Sequence, residues 1–144
     1  MTAHEILASL RDHLRTITRA NGYPVTVQTV AIGRAALAGS ANDSFPALSL
    51  IVLRDDPDVN STPQNKRQQW VRTVGFEATI QETENWDAEL DVLWDAIRQA
   101  LARYTAHPLR WTTAYFVPPA MGETGSGSLC SIRLEFSYLY RLTL

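Results

Sequence analysis

A single cysteine, Cys130, excludes an internal disulfide framework from this 144-residue chain. No apolar run approaches the roughly 18 residues needed to span a bilayer. The formal net charge is −2, so there is no bulk electrostatic footprint for nucleic acid or an anionic membrane. The first residues include His4, Glu5, Arg11 and Asp12 and so lack a secretory pattern, which leads us to expect a protein made and folded in a cytoplasm. Internal repeats are missing too.

Signatures of catalysis are equally sparse. There is no GxSxG, and no Ser, His and Asp set with motif context. Gly33 and Gly39 lack the lysine and hydroxyl residue that follow in a Walker loop. Asp55, Asp56 and Asp58 begin like a calcium loop, but Pro57 intervenes and neither the glycine nor the closing glutamate follows at the required spacing. His4 and His13 are too far apart in sequence to share a helical face, so both are expected at the surface. No Cys/His cluster has ligand spacing. The expectation is therefore no enzyme, no metal and no cofactor. Basic and aromatic residues interleave too weakly for a single-strand nucleic-acid platform.

What remains is ordinary globular material, 45% hydrophobic and 19% charged, expected to form one domain over 1–144. The strongest helical signal lies over 86–104. Leu90, Leu93, Trp94, Ile97, Leu101 and Tyr104 recur at helical spacing, with acidic residues early and Arg98 and Arg103 late. Asn85 stands at the N-cap position and Pro108 blocks continuation. A first helix is expected over 2–19, opened by a Thr2–Glu5 capping box and closed at Asn21-Gly22, with Ile6, Leu7, Leu10, Leu14 and Ile17 as its stripe.

Strands are expected over 24–32, 45–53, 70–82, 110–117 and 129–144. The second is apolar on both faces: Leu48, Leu50 and Val52 on one, Ile51 and Leu53 with Ala47 and Ser49 on the other. Either it is a central strand, or its second face meets another subunit. In the third, Trp70, Val74, Phe76, Ala78 and Ile80 share a face, and Arg72 is the exception, expected to send its charge to water. The last alternates most regularly, placing Cys130 in the core and Ser131, Arg133, Glu135, Ser137, Arg141 and Thr143 on the polar face. Residues 54–69 and 118–128 read as long polar or glycine-serine connections, suited to contact arms. The order α-β-β-β-α-β-β predicts an α+β two-layer sandwich: a mostly antiparallel sheet with both helices on one face, the polar face left to solvent or partners.

Taken together, the helix ending at Asn21-Gly22-Tyr23-Pro24, FPALSLIVLRDD and the loop after it, VGFEATIQ, WDAELDVLWDAIRQAL and IRLEFSYLYRL resemble the tail terminator family of long-tailed bacteriophages. The resemblance implies a subunit of a hexameric ring at the head-proximal end of the virion tail, assembled in the host cytoplasm. Such a ring caps the tail tube, stops its polymerisation and offers the head-tail joining surface. The implied partners are further copies of the chain, the tail tube protein and a neck or head-completion protein; no membrane and no catalytic residues are involved. Candidate subunit contacts are Ile51 and Leu53, the loop-flanking charges Arg54, Asp55, Asp56, Lys66 and Arg67, and Arg133, Glu135 and Arg141 on the last strand. Two other classes stay open: another head-to-tail connector, or a small ligand-binding α+β domain. The latter requires polar groups converging on a pocket, which the sequence does not display.

Overall fold

The computed structural model describes residues 1–33, 44–58, 67–119 and 129–143. In chain order they form α1 (Ala3–Leu14), a 3-10 turn (Arg19–Asn21), β1 (Thr29–Ile32), β2 (Ala47–Pro57), β3 (Arg67–Gln81), α2 (Trp86–Arg103), β4 (Arg110–Trp111), β5 (Tyr115–Val117) and β6 (Leu129–Thr143). The sheet order is β1-β2-β3-β6-β4, with β5 also on β6. β1 and β2 are parallel; every other pairing is antiparallel. This is the expected α+β architecture. Both helices pack into one apolar cluster with Leu48, Leu50, Val74, Phe76, Ala78, Ile132, Leu134 and Phe136.

Helix α1 opens as its sequence predicts. Thr2 N–H donates to Glu5 Oε2 at 2.8 Å and Glu5 N–H to Thr2 Oγ1 at 3.2 Å. It ends at Leu14, short of the expected position 19. Beyond it, the Thr16 hydroxyl donates to His13 O at 2.6 Å, and Thr18 caps the 3-10 turn by accepting from Asn21 N–H. These hydroxyls offer the backbone local partners that compete with the helix ladder. The stop at Gly22, with φ +90°, thus closes the 3-10 turn rather than α1.

His4 is exposed, as expected, but His13 is not a free surface residue. Its Nε2–H donates to Ala100 O at 2.6 Å, and its ring tilts against Tyr104. The cause lies in how α2 ends: Tyr104 N–H turns to Leu101 O, which leaves the Ala100 carbonyl for the neighbouring helix. At the other end of α2, Asn85 occupies the N-cap position without a side-chain capping bond. The buried line of α2 is Leu90, Leu93, Ala96, Ile97 and Ala100, while Trp94, Leu101 and Tyr104 sit half-buried at its margin.

Four strands differ from expectation. Residues 24–28 precede β1 instead of extending it, because Val27 N–H bonds back to Ile17 O at 2.9 Å. The polar stretch after Leu53 continues β2 to Pro57, and β3 begins at Arg67; residues 59–66, 34–43 and 120–128 lie outside the described residues. The strand expected over 110–117 is two short pieces. Between them Thr112 N–H still donates to Glu135 O at 3.0 Å, but Glu135 N–H donates to the Thr112 hydroxyl at 3.0 Å in place of a ladder carbonyl, and that hydroxyl also donates to Glu135 O at 2.9 Å. Trp111 packs 4.7 Å from Phe136 on the helix side, whereas Tyr115 and Phe116 are exposed.

Cys130 is fully buried, and burial pushes its thiol up to about 11; burial likewise raises Tyr138 to about 12. Both groups therefore favour the neutral form when folded. Their stabilisation is complete below the ordinary thiol value of 9.0 and is lost as pH rises through 11 and 12. Urea midpoints should fall over that alkaline window, and less so in Tyr138→Phe. At neutral pH that variant loses the 2.8 Å bond from the Tyr138 hydroxyl to Ala3 O, a loss of about 1 kcal/mol. Thiol reagents should label Cys130 only at the rate of unfolding.

Candidate interaction groove

The face of the sheet away from the helices is set by register. Ile51 lies opposite Gly75, Gly75 opposite Glu135, and Glu77 opposite both Ser49 and Arg133. Directly paired residues share a face. The register slips between Val52 and Arg54, so Leu53 is an extra residue, a β-bulge. Its side chain lies over Gly75, with Leu53 Cδ1 3.4 Å from where a Cβ would stand, and glycine leaves that space open.

The result is a groove of about 350 Å³ running across the sheet. Ile51 and Leu53 stand on the β2 side, Thr112, Thr113 and Tyr115 on the β4–β5 side, with Glu77, Arg133 and Glu135 between. Leu53 is 48% exposed and Tyr115 56%, so the rim is apolar and open. Glu77 Oε2 lies 3.1 Å from Arg133 Nε. Glu77 Oε1 is buried and has no hydrogen-bond partner among the described residues, and neither has Thr79 Oγ1 further along β3. The polar face is less open than expected: Ser49, Thr73, Thr79 and Ser131 on it are buried. Among the described residues, no group of three or more His, Cys, Asp or Glu is arranged to hold a metal.

Four of the contact residues named from the sequence, Ile51, Leu53, Arg133 and Glu135, meet in this groove. The others go elsewhere. Arg54 and Asp56 pair with each other at 3.1 Å, both exposed. Asp55 faces the helix side, where Arg72 donates to its two oxygens at 2.9 Å each. Arg141 donates to the Gln69 amide oxygen at 3.1 and 3.3 Å when the amide nitrogen donates to Asp58. Arg67 pairs with Thr143 in the ladder, and Lys66 lies outside the described residues. Glu77, Gly75, Thr112 and Tyr115 were not singled out by the sequence. Period-two alternation puts Glu77 on the polar face, but only the β3–β6 register brings it to Arg133.

Arg72 also differs from expectation, since its charge goes to Asp55 rather than to water. Its guanidinium sits 5.4 Å from the Tyr140 ring centroid. The hydrogen bond from Arg72 holds the Asp55 carboxyl below the usual carboxylate range, and Asp55 raises Arg72 in turn. Because the Asp55 value is lowered, the pair's stabilisation is present above the ordinary value of 3.8 and is lost as pH falls below it. Asp55→Asn and Arg72→Met should each destabilise by about 1–2 kcal/mol at pH 7, with a favourable coupling in the double-mutant cycle. Asp55→Asn should also flatten the acid limb of the stability profile.

No protein-family model and no curated protein matches the chain.

Proposed function

We propose that this protein is a ring-forming structural subunit of the tail terminator type, capping the tail tube of a long-tailed phage and offering a joining surface to the head side. One observation supports the reading most. Four of the ten residues that the sequence marks for subunit contact, Ile51, Leu53, Arg133 and Glu135, converge on a face of the sheet that neither described helix covers, beside the exposed ring of Tyr115. Apolar side chains gathered on an exposed face mark a contact surface more than a solvated one. A closed ring satisfies its lateral contacts by cyclic symmetry and leaves two axial faces, one for the tube and one for the neck. Such a surface can end a polymer that otherwise accepts subunits indefinitely. The expected partners are further copies of the chain, a tail tube protein and a neck protein.

Two measurements test this. Native mass spectrometry and electron microscopy of the purified chain should show a closed ring, six-membered in the terminator reading, and deletion of the gene should give overlong tubes and heads without tails. Normal-length tails attached to heads in the deletion strain would overturn the reading. Leu53→Asp should abolish the ring while leaving thermal stability nearly unchanged, since that side chain is already half in water. The same change at Ile51, which is more covered, should weaken both assembly and folding.

A further inference from the structure

The carboxylate of Glu77 is only half satisfied. An ionised carboxylate offers about four acceptor sites, and burying an oxygen with none of them filled is unfavourable. Here Oε2 meets Arg133, while Oε1 is buried with no partner among the described residues. Glu135 stands two residues along β6 from Arg133. Its backbone bonds to Thr112, but its carboxylate meets no partner among the described residues. Glu135 is exposed to solvent, so two carboxylates and one guanidinium line the groove, which carries net negative charge. Its rim supplies what a long cationic side chain needs besides charge: the aliphatic surface of Leu53 and the ring of Tyr115, both half exposed.

We propose that this groove binds a basic side chain, an arginine, carried by an extended protein segment that lies across the sheet face. The guanidinium donates to Glu135 and, with a turn of the Glu77 side chain that brings its buried Oε1 to the groove, to Glu77; the stem runs between Leu53 and Tyr115. Arginine suits the site because its planar fork can serve two carboxylates at once. The Arg133 guanidinium beside Glu77 opposes a small metal cation there, and the net charge opposes an anion. The proposal needs no ring, but a ring closed through this face covers the groove, so the titration is made on chain that native mass spectrometry shows to be monomeric.

The test is an amide-NMR titration of the full chain with acetyl-Leu-Arg-Leu-amide, against the same peptide with citrulline for arginine. Citrulline keeps the shape and removes the charge. With the arginine peptide, shifts should concentrate at Gly75, Glu77, Tyr115 and Arg133. Binding should weaken about tenfold with citrulline and in Glu77→Gln. Arg133→Met should bind severalfold more tightly, because it removes the competing guanidinium. A purely structural ion pair predicts no such opposition between the two variants. If Glu77→Gln does not fold, the citrulline and Arg133→Met arms decide. Equal binding of the two peptides, shifts spread away from the groove, or weakened binding in Arg133→Met would overturn the proposal.

Discussion

The pairing of β3 with β6 along fifteen residues each is the constraint on which the rest of the structure depends. Fifteen residues of strand reach roughly 50 Å, whereas the eighteen of α2 reach about 27 Å. Two helices laid on one face cannot cover strands of that length. The sheet therefore divides into a covered half, with Phe76, Ala78, Ile132, Leu134 and Tyr138 under the helices, and an overhang, with residues 54–57, 67–72 and 139–143. Order in the overhang comes from ladder bonds among three strands and from side-chain pairs, since little apolar burial is available there. Arg72 with Asp55 and Tyr140 is the main such pair, and at 18% exposure the Arg72 side chain is shielded enough for the contact to matter.

The covered half was largely legible in the sequence. Period-two alternation identified the core face of β3 and β6, and period 3.6 identified the stripe of α2. The capping box fixed the start of α1 because its two hydrogen bonds are local, between residues three apart. What failed were places where a distant partner decides the outcome. The Thr112 hydroxyl takes the Glu135 N–H from the ladder only because Glu135 is opposite it, and His13 is drawn in only because α2 leaves Ala100 O unpaired. Likewise, the polar run after Leu53 is strand because β3 offers it a ladder, although its composition reads as a loop. Local pattern sees none of these contacts.

The groove lies between these two cases. Ile51, Leu53, Arg133 and Glu135 were found from the facing of single strands. Glu77 and Tyr115 needed the order of strands across the sheet, which puts β2 on one side and β5 on the other. The sequence showed no convergence of polar groups because the convergence is a product of register. Glu77 and Arg133 are 56 positions apart in a chain where only antiparallel pairing makes them neighbours.

The bulge at Leu53 links the overhang to the groove. Were Leu53 paired in regular register instead of bulged, the pairing of Val52 with Val74 would continue to place Leu53 opposite Thr73 and Arg54 opposite Arg72. Two guanidinium groups facing each other on one side of a sheet repel. The bulge shifts β2 by one position, so Arg54 meets Thr73 and Asp55 meets Arg72. A repulsive pair is thereby replaced by a bidentate one at 2.9 Å. The displaced residue is Leu53 itself, and with Gly75 beneath it, its side chain settles over the second face. One inserted residue thus secures the overhang electrostatically and supplies the groove with its most exposed aliphatic wall. Those two outcomes cannot be separated by changing the register alone.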